Sequence, residues 1–139
     1  MAEVVLADGD NASGLASMMG TLLAQNVERV PAKLNDFRRV DADVLIDVGD
    51  LDQQITLSFH GDRCTIHNGV AGRPRVRIRT DSETLMRLSM LHIGPLGLPN
   101  YFDEPGRAVL QAMRQGKLRI GGMHHVPTLN RITRLFSVA

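Results

Sequence analysis

Gly116 Lys117 Leu118 Arg119 Ile120 Gly121 Gly122, continued by Met123 His124 His125 Val126 Pro127 Thr128 Leu129 Asn130 Arg131 Ile132 Thr133 Arg134 Leu135 Phe136, is the stretch whose reading decides the fold. A glycine ends one helix, four residues alternate charged and apolar, a glycine pair turns the chain, and an amphipathic helix follows. The period of two puts Leu118 and Ile120 on one face of a strand and Lys117 and Arg119 on the other. From Pro127, suited to a first helical turn, Leu129, Ile132, Leu135 and Phe136 recur at helical spacing. Both apolar faces need something to cover.

Outward from that stretch, the spacing predicts a helix at about 11–29, capped by Asn11 or Ser13, in which Leu15, Met18, Met19, Leu22 and Leu23 share a face. Pro31 ends it, and 32–41 reads as a polar connection with a turn of helix at Lys33 to Arg38. Residues 1–10 read as a short frayed end. Four strand-type runs then occupy about 42–80. Val44, Ile46 and Val48 alternate against Leu45 and Asp47, and Ile55, Leu57 and Phe59 against Thr56 and Ser58. Cys64 and Ile66 follow a Gly61 Asp62 hairpin turn, and Val76 and Ile78 follow the Asn68 Gly69 turn. These runs predict an antiparallel meander with one apolar and one wet face. Thr80 and Glu83 form a capping-box pattern, so helices are expected at about 81–91, with Leu85, Leu88 and Met86 inward, and at about 103–115. The last strand is placed at 117–120 and the last helix at about 126–137. Residues 1–139 read as one domain.

Composition narrows the class. Sixteen Lys and Arg against fifteen Asp and Glu leave a nearly balanced surface, and the pI near 8.0 lies below that of a dedicated nucleic-acid module. The one cysteine, Cys64, cannot bridge internally and fits a reducing compartment, packing as a small apolar residue. No secretory signal is recognisable, and the uncharged run Asn11 to Val27 is too polar for a membrane span. A soluble, cytoplasmic protein is expected.

No constellation for catalysis stands out. There is no Gly-x-Ser-x-Gly elbow, His-Glu-x-x-His, Cys-x-x-Cys, phosphate loop or Gly-x-Gly-x-x-Gly. The adjacent His124 and His125 point apart on any regular element, and His60, His67 and His92 lack ligand spacing, so no metal, cofactor or catalytic residue is expected. Arg73, Arg75, Arg77 and Arg79 fall on one side of a regular strand. That ladder is either a solvated face opposite acids such as Asp47 or an attraction for anionic lipid head groups or an acidic partner. Without exposed aromatics it does not suit nucleic acid. The segment 92–102 has loop chemistry, with two prolines and two glycines, yet carries Ile93, Leu96, Leu98, Tyr101 and Phe102. An apolar loop of this kind closes the core, lids a cavity or docks on a partner or membrane.

In element order, and specifically in Arg75 Val76 Arg77 Ile78 Arg79 Thr80 Asp81 Ser82 Glu83 Thr84 Leu85 Met86 Arg87 Leu88 and in Gly116 Lys117 Leu118 Arg119 Ile120 Gly121 Gly122 with its amphipathic helix, the chain resembles the sterol carrier protein-2 family. That family has a strand, an Asp-Ser-type helix start and a Gly-Lys-Leu-Lys-Ile-x-Gly strand before its last helix. The resemblance spans about residues 40–136. It implies an α+β fold with a five-stranded, mostly antiparallel sheet, helices packed over one face, and a hydrophobic tunnel for sterols, fatty acids or acyl-CoA. The chain departs from the family in its longer connection from Ile93 to about Arg114, and in Gly122 and Met123 where a polar residue often follows the strand.

The resulting expectation is a non-catalytic lipid-binding or lipid-transfer protein. Its lining is drawn from Leu22, Leu85, Leu88, Met90, Leu96, Leu98, Tyr101, Phe102, Val109, Met113, Leu118, Ile120, Ile132 and Phe136, with Arg73, Arg75, Arg77 and Arg79 toward a head group or membrane surface. Seven methionines, four Phe, one Tyr and no Trp suit an interior that repacks around ligands of different shape. Burying about 14 methylenes at ~0.8 kcal/mol each gives roughly 11 kcal/mol gross, from which ordering and association subtract several. The alternative is an interaction or dimerisation module of the same fold, its cavity filled by its own side chains, acting as an accessory factor in lipid metabolism.

Overall fold

Period-two alternation of apolar residues builds a single sheet. The computed structural model describes residues 3–89, 104–116, 118–121, 131–132 and 134–136, with backbone alone at 87–89 and 104–106. Its strands are β1 (Glu3–Leu6), β2 (Asp43–Val48), β3 (Gln53–His60), β4 (Arg63–Asn68), β5 (Val76–Thr80) and β6 (Arg119–Gly121), in the order β1-β4-β3-β2-β5-β6. The helices are α1 (Gly14–Arg29), α2 (Ala32–Val40), α3 (Ser82–Ser89) and α4 (Glu104–Arg114). Arg131, Ile132 and Arg134 to Phe136 are helical as well.

The α+β class holds, but two expectations for the sheet are corrected. It has six strands among the described residues, not five, and its pairing is mixed rather than mostly antiparallel. β1 pairs parallel to β4 and β5 parallel to β2, while β2·β3, β3·β4 and β5·β6 are antiparallel. Residues 3–6, read from sequence as a frayed end, thus form an edge strand. Glu3 N–H donates to Asp62 O (2.7 Å) and Ala7 N–H to Ile66 O (2.9 Å).

The ladder register places Val44, Ile46, Val48, Ile55, Leu57, Phe59, Cys64, Ile66, Val76 and Ile78 on one face. There they form one core with Leu15, Ala16, Met19 and Leu23 of α1 and Phe37 and Val40 of α2. Phe37 meets Phe59 edge to face, with ring centroids 5.4 Å apart. α1 starts on Ser13, whose hydroxyl accepts the Ala16 N–H (3.1 Å). It approaches β1 and β4 closely at Gly20, where a Cβ would stand 3.3 Å from both Ile66 Cδ1 and Leu6 Cδ2. This close seating rotates the buried stripe toward Ala16, Gly20 and Asn26, so Met18, expected inward, is exposed.

The opposite face is not uniformly wet. After β4 the chain must move laterally past β3 and β2 to reach β5, roughly 14 Å at the usual strand spacing, and residues 69–75 make that passage across the outer face. Thr56 holds the crossing: its hydroxyl donates to Gly69 O (2.8 Å) and accepts the Ala71 N–H (3.0 Å). Asp43 ends it, its carboxylate accepting the Arg73 N–H (3.1 Å) and its carbonyl the Arg75 N–H (3.0 Å). Thr56, Leu45 and Ser58 are buried on this outer face as a result. Gly72 has φ +61°, and a Cβ there would collide with the Asp43 carboxylate.

The C-terminal helical segment is tied to α1 and α2. The amide of buried Asn26 donates to Leu135 O (2.9 Å), and Arg134 grips Asp36 through Nε (3.1 Å) and Nη2 (2.7 Å). Asn26→Ala leaves a buried carbonyl unpaired and is expected to lower unfolding free energy by about 1–3 kcal/mol in urea titrations. Gly72→Ala is expected to cost at least about 1 kcal/mol by the same assay, because neither its backbone angle nor its space admits a Cβ.

Candidate functional site

Two features qualify as sites: the apolar layer beneath the sheet and the basic edge of its outer face. Of the residues expected to line a cavity, Leu85, Val109, Leu118, Ile132 and Phe136 are buried in the single core, with Leu22 and Ile120 packed against it. The side chains of Leu88, Met90, Leu96, Leu98, Tyr101 and Phe102 lie outside the described residues, as does the whole apolar segment 92–102.

Met113 points away from this layer and is 41% exposed, as Met86 is at 63%. The reason lies in how α4 meets its neighbours. Its buried line is Val109 and Ala112, and the Leu118 N–H donates back to Ala112 O (3.3 Å), which brings the entry to β6 under the helix. A small residue, not the methionine beside it, makes this contact. On α3 the buried pair is Thr84 and Leu85. The helix begins one residue later than the capping-box pattern suggested. Thr80 still belongs to β5, paired with Val48, and Asp81 caps by accepting the Thr84 N–H (2.7 Å).

The arginine ladder divides in two. β5 begins at Val76, so Arg77 and Arg79 project from its outer face, whereas Arg73 and Arg75 belong to the crossing segment anchored on Asp43. A further arginine joins the strand pair: Arg119 on β6 lies directly opposite Arg79, and Arg77 lies opposite Gly121. Asp47, beside Arg79 on β2, has Oδ2 3.9 Å from Arg79 Nε. An exposed pair of that length contributes little.

An open cleft of about 350 Å³ lies between Arg79, Arg119, Gly49, Asp50, Thr80, Asp81 and Gly116. Asp50 uses both carboxylate oxygens on Ser82, accepting its N–H (2.8 Å) and its hydroxyl (2.5 Å). The Ser82 hydroxyl, then the Ser82 amide, hold the Asp50 carboxyl below its ordinary value of 3.8. Among the described residues no group of three or more His, Cys, Asp and Glu could hold a metal ion, and no helix is long and apolar enough to cross a membrane. Cys64 is fully buried, and that burial pushes its thiol far above the usual range.

The fold these elements define is that of an SCP2-like domain. A solved structure titled UbiJ-SCP2 ubiquinone synthesis protein superposes with a TM-score of 0.62 at 15% identity, covering 88% of this chain and 96% of that one. The stereoselective inverting sec-alkylsulfatase Pisa1 from Pseudomonas sp. gives a TM-score of 0.60 at 15% identity, covering 96% of this chain and 18% of the sulfatase. No protein-family model matches the chain, and no curated protein does. At 15% identity these likenesses are likenesses of fold.

Two outcomes are expected. Cys64 should react with a thiol reagent only as fast as the chain unfolds, because only the thiolate attacks and burial suppresses it; the labelling rate in rising denaturant, compared with circular dichroism, checks this. The depressed Asp50 value contributes stability that is fully present above the unfolded value of 3.8 and is lost as pH falls through the lower folded value. Asp50→Asn should therefore be less stable than the wild type at neutral pH and equal to it in strong acid, read from thermal midpoints at both.

Proposed function

We propose that this is a non-catalytic, cytoplasmic lipid-binding protein that shields a sterol, a fatty acid, or an acyl or isoprenoid chain in the apolar layer between the sheet and the helices. The observation that carries the reading is the SCP2-like fold, supported by the resemblance of Arg75 to Leu88 and Gly116 to Gly122 with its helix and by structural superposition. Leu85, Val109, Leu118, Ile132 and Phe136, contributed by α3, α4, the entry to β6 and the last helix, supply candidate wall residues in one cluster. The remaining expected lining residues, Leu22, Leu88, Met90, Leu96, Leu98, Tyr101, Phe102, Met113 and Ile120, complete the proposal. Arg73, Arg75, Arg77 and Arg79 are proposed to face an anionic head group or, transiently, a membrane surface. The neighbour's title, a ubiquinone synthesis protein, makes an isoprenoid-tailed quinone a ligand class to try beside fatty acids and acyl-CoA.

A second reading is favoured by the tightness of the described interior. Phe37, Phe59, Leu23, Leu57 and Leu135 are all completely buried against their own neighbours. In this reading the protein fills its own cavity and serves as an accessory module, dimerising or holding a partner enzyme of lipid metabolism. The two readings separate in one experiment. Native mass spectrometry together with displacement of a fluorescent fatty acid should show one lipid per chain and micromolar competition by fatty acids or prenylquinones. No ligand up to that range, with a dimer or a captured enzyme instead, selects the accessory module.

A further inference from the structure

We propose that Arg79 and Arg119 form a phosphate clamp at the β5–β6 end of the sheet, which takes further the reading of Arg79 as a head-group contact and names a second arginine for it. Opposed residues of an antiparallel pair have Cβ atoms about 5 Å apart, and like charges so placed destabilise a ladder. Here the opposed pair is Arg79 and Arg119. Among the described residues the core does not require it: both residues project from the outer face, and the core contact of β6 is made by Ile120. A solvent-facing position with no packing role has tolerated a charge that opposes the pairing. A ligand bearing the opposite charge offsets that cost.

The surroundings decide the ligand class. Both arginines border the 350 Å³ cleft, which is open to solvent and lined by charged and polar residues and glycine. The two carboxylates in the same cleft are each held by neutral hydrogen-bond donors and offset part of the arginines' charge. Asp50 is occupied by the amide and hydroxyl of Ser82, and Asp81 by the amide of Thr84. Arg119 has no ion-pair partner among the described residues, and its guanidinium lies along Gly116, where an added Cβ would be 3.6 Å from Nη2. Glycine suits that position because its backbone is left-handed, with φ +73°. Arg79 has only its 3.9 Å approach to Asp47. Two planar forks with donors to spare, both bordering one cleft, match the several acceptor oxygens of a phosphate better than the single plane of a carboxylate. Arg77, one step along the same face, adds charge without bordering the cleft.

The same chemistry belongs to free phosphate compounds and to phospholipid head groups, so the test has two arms. Wild-type protein, Arg79→Gln, Arg119→Gln and the double variant are titrated with inorganic phosphate by calorimetry at low salt, and sedimented with phosphatidylcholine vesicles with and without phosphatidic acid. Arg63→Gln serves as a control, since Arg63 lies on the same outer face but is paired with Glu3 at 3.2 Å. The expected result is saturable binding in at least one arm, weakened about tenfold or more by each clamp variant, unchanged in Arg63→Gln, and absent with phosphatidylcholine alone. Binding in the vesicle arm alone assigns the clamp to a lipid head group, and binding in both assigns it to phosphate compounds generally. Thermal midpoints of the clamp variants should equal or exceed that of the wild type, since a like-charge pair has been removed. The clamp is overturned if neither arm shows binding, if the double variant binds as the wild type does, or if Arg63→Gln weakens binding equally. Displacement of a fluorescent fatty acid from the wild type is measured alongside, so that a clamp that fails in a protein still able to bind the fatty acid is distinct from failure of lipid binding.

Discussion

The constraint on which the rest depends is the parallel pairing of β5 with β2. A strand parallel to its neighbour cannot be entered by a tight turn, so the chain leaves β4 and carries its polar backbone over the outer face before it can start β5. Backbone laid across a sheet needs partners for its own N–H and C=O groups. Thr56 and Asp43 provide them, one at the middle of the passage and one at its end. The passage fixes where β5 begins, and that start determines which arginines ride on the strand. It also places β5 where β6 can add on the open side, bringing Leu118 and α4 beneath the sheet. The apolar layer and the basic edge are both downstream of this one connection.

Much of the fold was legible because alternation and turn chemistry are local. Val44 to Val48, Ile55 to Phe59 and the Gly61 Asp62 turn announce a meander, and β2, β3 and β4 are one. What alternation does not carry is the identity of a partner beyond the next turn. Val76 and Ile78 read as the fourth strand of a meander, yet they pair with β2 on its far side. Val4, Val5 and Leu6 carry no readable strand signal for a related reason: a four-residue strand has little room for a pattern, and its parallel partner leaves no hairpin signal. Asn68 shows the same ambiguity at the level of one residue. It reads as half of an Asn-Gly turn, but its side chain and backbone clasp Asp8, Asn11 and Ser13 and hold the β1 to α1 connection.

The site was legible to a different degree in its two halves. For the interior, hydrophobic type and helical spacing pick out Leu85, Val109, Leu118, Ile132 and Phe136. They do not separate Ala112 from Met113, because which side of α4 faces inward is set by how near β6 approaches, a property of the assembled fold. The Ala108 and Ala112 spacing was the available hint of a close contact. On the outer face, four alternate arginines suggested a ladder. Pro74 was the sign that regular strand does not extend through Arg73 and Arg75, since a proline is confined to strand starts, edges and bulges. Arg119 could be assigned to a face from sequence, but its position opposite Arg79 comes from ladder register alone.

The edge strand β1 has a consequence for how the chain is made. Its partner lies sixty residues further on, Glu3 against Arg63. At about 5–20 residues per second the ribosome needs roughly 3–12 seconds to supply that partner. For that interval Val4, Val5 and Leu6 lack their β4 partner, and an unpaired apolar strand invites the edge of another chain. α1 is the element synthesised in time to shelter it, and Gly20 is what allows the helix to press onto Leu6. The close approach that tightens the finished core thus also covers the apolar side of the first strand with an element that precedes β4 in the chain.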